Sequence, residues 1–127
     1  MDEEIAEARR VMDALKQLDQ RIVAMLSRSP AGKKLSHWED QSLREETVSL
    51  KADIKAAAKR GKILDSRAPQ TDLESAYYEP ALHKASARFM LRTDVSPSNA
   101  KWRSGLIDVQ EEISYYIWSM AREYPEA

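Results

Sequence analysis

Only two histidines, His37 and His83, and no cysteine are present, so the chemistry open to this chain is narrow. His37-Trp38-Glu39-Asp40 sets an imidazole and a carboxylate one helical turn apart. A metal site needs three or four ligands with supporting partners, and no further ligands are evident, so the pair reads more simply as part of a helix start. Glu-x-x-His, the di-iron signature of helical bundles, is absent, as are Gly-x-Ser-x-Gly and the zinc-helix motif. Three glycines in the whole chain leave little material for a phosphate-cradling loop. The expectation is therefore a non-enzyme, with no catalytic residue, no metal, no cofactor and no small-molecule substrate.

Charged residues carry more pattern. At about 100° per residue, Asp19 falls inside the apolar stripe of the first helix, where a carboxylate is costly unless paired. A Lys or Arg on a neighbouring helix is its expected partner. Glu39, Glu46 and Asp53 recur at sevens on one flank of the second helix, and Arg44, Lys51, Lys55, Lys59 and Lys62 line the other. Flanks of this kind choose neighbours in a bundle. The alternative is a phosphate-tracking stripe for nucleic acid, weakened by a net charge of -1. A second basic group gathers at one end of the expected bundle: Arg28, Lys33 and Lys34 with Arg88, Arg92, Lys101 and Arg103. The helix dipole favours cations at the ends of the first and third helices but not at the start of the fourth, where Lys101 and Arg103 lie.

The last helix holds the strongest functional signal. Trp102, Leu106, Val109, Ile113, Tyr116 and Met120 form its seam, yet Ile107, Tyr115 and Trp118 project to the opposite side with Glu111 and Arg122. A surface helix with one buried face should be polar there. Either this face is covered, by a central position or by the connection carrying Ile63 and Leu64, or it is an interaction surface built from residue types common in binding hot spots.

Three short stretches resemble helical families, and each departs from its family at the functional residues. The dozen residues from Leu15 to Leu26 resemble the first helix of the all-helical chorismate mutases, but Met12 and Ser29 stand where that family's clamping arginines are needed, and Arg10 and Arg28 are out of register. Glu3-Glu4-Ile5-Ala6-Glu7 is similar to the opening of the all-helical nucleotide pyrophosphohydrolases, whose carboxylates hold magnesium, but the later Glu-x-x-Asp is missing. Leu82-His83-Lys84-Ala85-Ser86-Ala87 resembles histidine-phosphotransfer domains, in which the lysine follows the histidine by three residues and precedes a glycine. Here Lys84 follows by one, and Ser86-Ala87 fill those places. None of the three is carried into the functional reading.

The elements that must position these residues are well punctuated. Ala8, Val11, Leu15, Leu18, Ile22 and Met25 alternate spacings of three and four, with Ile5, Met12, Val23 and Leu26 widening the stripe, and Ser29-Pro30-Ala31-Gly32 ends the helix. Ser36-x-x-Glu39 is a capping box that opens a second helix with the seam Leu43, Thr47, Leu50, Ile54 and Ala57, closed by Gly61. That seam is thin enough for a neighbour to approach closely. Ile63 and Leu64 are expected to anchor the connection that follows. Thr71-x-x-Glu74 opens a third helix through Tyr77, Tyr78, Leu82, Ala85 and Phe89, interrupted by Pro80 and ending around Arg92. Ser96 as N-cap and Pro97 at the first helical position start the fourth.

The expected fold is all-α: an antiparallel four-helix bundle with helices at 2–29, 36–60, 72–92 and 97–123, the third kinked or broken at Pro80, forming one domain over 1–127. A helical hairpin pair that completes its core by dimerising is the structural rival. At 127 residues, 43% apolar, the chain can hide about two-thirds of its surface. No apolar run approaches the roughly 20 residues that span a bilayer, and the acidic opening Met1-Asp2-Glu3-Glu4 has the wrong sign for a targeting signal, so a cytoplasmic setting without membrane contact is expected. The functional expectation is a protein-interaction module, an adaptor, regulatory or assembly subunit, binding a protein partner or a second copy through Ile107, Glu111, Tyr115, Trp118 and Arg122. The alternative is a nucleic-acid-associated subunit using Arg44, Lys51, Lys55, Lys59, Lys62, Lys101 and Arg103.

Overall fold

The computed structural model describes residues 2–64, 66–91 and 95–127. Among them every regular element is helical: α1 (Asp2–Arg28), α2 (His37–Arg60), a π-helical turn (Glu74–Tyr78) that runs directly into α3 (Glu79–Arg88), and α4 (Ala100–Glu123). The helices alternate in direction and pack as a four-helix bundle, α1 against α4, α4 against α3 and α3 against α2. The third helix ends earlier than its expected bound at 92, which itself lies outside the described residues: α3 stops at Arg88, where the Phe89 N–H bonds the Ser86 carbonyl (3.2 Å) and Phe89 leaves helical geometry at φ -80°, ψ 76°.

Apolar spacing decides what is buried. All six seam residues of α4 and all five of α2 are buried, as are Ala8, Val11, Leu15, Ile22 and Met25 of α1. Each large apolar side chain so buried contributes about 1.5–3 kcal/mol. Leu18 is only half-buried, and Val23 is 47% exposed, so the α1 stripe is narrower on that side than its sequence implies. The two polar seam residues satisfy each other: the Trp102 indole N–H donates to Thr47 Oγ1 (3.0 Å), whose hydroxyl donates to the Leu43 carbonyl (2.6 Å). Among the described residues no buried side-chain nitrogen or oxygen lacks a hydrogen-bond partner.

The small-residue seam of α2 receives α3 closely, while α1 stands off from α2 across a cleft of about 390 Å³ lined by Ala14, Leu18, Arg21, Asp53, Ala57 and Ile63, among others. Ion pairs bridge that gap. Arg21 meets Asp53 (2.8 Å), Arg28 meets Glu46 (2.6 Å), and Lys33 on the preceding connection meets Glu39 (3.2 Å). The acidic flank of α2 therefore faces α1, as neighbour-choosing charges should.

Capping signals act largely where they are written. Ser36 and Glu39 exchange reciprocal hydrogen bonds at the start of α2. Gly61 closes α2 at φ 71°, a left-handed conformation that a side chain strains; an added Cβ would also meet Glu79 Oε2 at 2.8 Å and Gln70 Nε2 at 2.9 Å. Pro80 is accommodated by the π-turn before it: the Glu79 N–H reaches back five residues to the Glu74 carbonyl, and Pro80 falls in the first turn of α3, where its missing N–H costs little. The start of α4 departs from expectation. Its N-cap is Asn99, whose side chain accepts from the Lys101 N–H (2.8 Å), while the Ser96 hydroxyl donates to Asp40 (2.5 Å) and accepts from the Ser98 N–H (3.2 Å) of the turn before the helix. Residues 96–99 form a turn closed by the Asn99 N–H on the Ser96 carbonyl (2.8 Å). In the connection after α2, Ile63 packs against the core as expected, but Leu64 is 64% exposed and anchors nothing.

Candidate interaction surface

With the seam of α4 turned inward, the helical period leaves Ile107, Glu111, Tyr115, Trp118 and Arg122 along its outer side. Tyr115 is 55% exposed, Trp118 54%, and Glu111 and Arg122 are exposed, whereas Ile107 is half-buried, packs against the core and lines a recess with Ser29, Pro30 and Gly32, so it is not part of the open patch. The Tyr115 and Trp118 rings lie 6.2 Å apart between centroids, and the Arg122 guanidinium sits 4.7 Å from the Trp118 centroid. The ring–ring contact and the guanidinium over Trp118 set the three side chains side by side as one patch. The connection bearing Ile63 and Leu64 does not cover it. Ile63 lies in the α1–α2 cleft, and Leu64 lines a recess beside Glu7 and Arg10.

Beside the patch runs a groove of about 390 Å³ between α1 and α4, lined by Lys16, Asp19, Gln20, Ser114, Ile117, Trp118 and Ala121. Asp19 accepts hydrogen bonds from Gln110 (3.2 Å) and Ser114 (3.1 Å) of α4. The expected cationic partner is thus replaced by two neutral donors, which suffice because the carboxylate is only half-buried.

The basic residues are dispersed rather than gathered. Arg44 Nε binds Asp40 (2.5 Å), Lys51 donates to the Leu91 carbonyl (3.0 Å) beside the Phe89 ring, and Lys62 donates to the Ser66 and Ala68 carbonyls. Lys55, Lys59 and Lys101 are exposed. Arg103 spans to the Leu26 (3.1 Å) and Ser29 (2.8 Å) carbonyls and caps the C-terminus of α1, which explains a cation at the start of α4: the dipole it serves belongs to the neighbouring helix. In the same end cluster, Arg28 pairs with Glu46, Lys33 with Glu39, and Arg88 with Asp108 and Glu112, while Arg92 lies outside the described residues.

One polar cluster was not foreseen in the sequence. Glu74, 3% exposed, accepts from the backbone N–H groups of Ile63 (2.8 Å) and Thr71 (2.9 Å) and lies 3.4 Å from Arg10. Arg10 also pairs with Glu7 (2.7 Å), which accepts from the Thr71 hydroxyl (2.6 Å). Burial opposes the Glu74 charge, but the two N–H donors and Arg10 outweigh it, so its carboxyl sits below the ordinary value. The hydrogen bond from Arg10 lowers Glu7 in the same way. Thr71-x-x-Glu74 signals the cap, but nothing local in the sequence brings Arg10 to it.

Neither histidine joins a cluster of ligands. His37 is exposed and stands edge-on to Trp38, Asp40 is taken by Arg44 and Ser96, and His83 Nε2 lies 3.6 Å from Glu79 on the surface of α3. Among the described residues no three His, Asp or Glu side chains converge on a common point, and no helix is long and apolar enough to cross a membrane. Comparison with protein-family models, with curated proteins and with solved structures finds no match.

Proposed function

We propose that this chain is a non-catalytic helical interaction module, an adaptor or a regulatory or assembly subunit, that binds a protein partner through the outer face of α4. One observation carries the reading: Tyr115 and Trp118 are more than half exposed and neighbour each other, with Arg122 over the Trp118 ring, on a helix whose opposite face is buried. Trp, Tyr and Arg are the residue types most enriched in interface hot spots, and contacts among them lower the ordering cost of association. A cytoplasmic setting is the reading of a charged, cysteine-free chain.

The nucleic-acid alternative ranks lower because Arg44, Lys51, Lys62 and Arg103 already serve contacts within the chain. Lys55, Lys59 and Lys101 alone make a sparse phosphate track.

The test is Trp118→Ala, with bound proteins captured from the native cell in parallel for the variant and the parent chain. The variant is expected to keep its thermal unfolding midpoint and to lose a defined set of captured proteins, with little response to added salt. An unchanged captured set, or a variant that unfolds, would remove the outer face of α4 from consideration.

A further inference from the structure

The outer face of α4 is self-complementary. Glu111 lies four residues before Tyr115, and Arg122 lies four residues after Trp118, so the charges flank the aromatic pair symmetrically and with opposite sign. At about 100° per residue the four side chains share an arc of roughly 60° on one side of the helix. Among the described residues neither Glu111 nor Arg122 has an ion-pair partner, whereas Asp108 and Glu112 on the same helix are both taken by Arg88. Arg122 lies over the ring of Trp118.

Resting on the protein-binding reading above, we infer that the occupant of this face is a second copy of the chain, docked with its α4 antiparallel across a two-fold axis that passes midway between Tyr115 and Trp118. In that register Glu111 faces the partner's Arg122, Arg122 faces the partner's Glu111, and each Tyr115 faces the partner's Trp118. This is the isologous pattern of a two-fold interface, in which each contact occurs twice. A parallel pairing sets Glu111 against Glu111 and Arg122 against Arg122 and is disfavoured by like charge. From Glu111 to Arg122 the face is about 16 Å long at 1.5 Å per residue. One helix face of that length is smaller than the roughly 800 Å² per partner of a standard interface, so the dimer is concentration-dependent. The molecule also exposes 7796 Å², above the about 6,900 Å² that size scaling gives for a monomer of this mass.

Sedimentation velocity on the parent chain from micromolar to millimolar concentration is expected to show a monomer–dimer equilibrium. Glu111→Arg and Arg122→Glu should each weaken the dimer about tenfold or more by placing like charges opposite one another, and the double variant should restore it. Circular dichroism checks that all three variants remain folded. Because the chain has no cysteine, Glu111→Cys and Arg122→Cys can be mixed and oxidised. A cross-link between the two variants, with none within either alone, supports the antiparallel register. Self-cross-linking of either variant, or a folded double variant that stays as weak as the singles, overturns it. A parent chain that is monomeric throughout, while protein capture still depends on Trp118, overturns self-pairing and leaves the broader reading standing. Capture independent of Trp118 overturns the broader reading.

Discussion

Around Glu74 every charge is answered from within the chain. Glu7, Arg10, Thr71 and two backbone N–H groups close on one another, and Lys62 binds the connection down through the Ser66 and Ala68 carbonyls. On the outer face of α4, Glu111 and Arg122 stand among exposed aromatics with no ion-pair partner among the described residues. Both regions mix acid, base and apolar surface, so composition does not separate them. The difference is whether the chain supplies the complement. Where it does, the polar groups hold α1 to the 61–70 connection and the start of the third helix. Where it does not, water serves the charges, which leaves them open to a partner of the kind proposed above.

Removing the acceptor at the self-satisfied site should have the largest effect. Glu74→Ala leaves the Ile63 and Thr71 N–H groups without an acceptor and Arg10 with Glu7 alone, and is expected to cost about 2–4 kcal/mol in urea unfolding. A loss below about 1 kcal/mol would mean that water serves those donors as well as the carboxylate does. Acid should reach the same site more gradually. Glu7 and Glu74 both sit below their ordinary value of 4.5 in the folded chain, so the unfolded chain binds protons first as pH falls. Their stabilisation is fully present above that value and is lost as pH drops through the lower folded-state values. Glu74→Gln should flatten the acid limb of a stability–pH curve, and an unchanged limb would assign acid sensitivity elsewhere. The smallest effect belongs to the outer face: Glu111→Gln should shift stability by less than about 0.5 kcal/mol, since an exposed charge without a partner has little to lose. A larger shift would make that face part of the fold and erase the contrast.

Helix faces were legible in the sequence because burial follows a local period. The α2 and α4 seams could be read residue by residue, and Ser36 and Gly61 marked both ends of α2 through contacts that span four residues or fewer. What resisted reading depends on partners far along the chain. Ser96 has the identity of an N-cap, but the backbone N–H it accepts is that of Ser98 in a turn held by its hydrogen bond to Asp40, 56 residues away, and the cap of α4 passes to Asn99. Asp19 was recognisable as a carboxylate needing a partner, while the choice of Gln110 and Ser114 over a cation is set by the register of α1 against α4. Val23 fits the apolar spacing yet lies past the edge of what α4 covers. Exposure of the α4 patch followed the same logic. The sequence defined the face, and only the path of the 61–70 connection shows that it stays uncovered.

The pairing of α1 with α4 has a kinetic consequence. It joins the two ends of the sequence through contacts such as Tyr124 with Glu4, 120 residues apart, and Arg9 with the Glu126 carbonyl, 117 apart. The α2–α3 and α3–α4 hairpins each close over a single connection, 61–73 and 89–99. Loop-closure entropy favours these local closures, so the hairpins are expected to assemble first and α1 to dock against α4 late, an order that pulse-labelled hydrogen exchange would overturn if protection in α1 came first. Contacts formed after the folding barrier govern the rate of escape from the native state. A partner bridging α1 and α4 would therefore act as a brake on unfolding and lengthen the lifetime of the whole bundle.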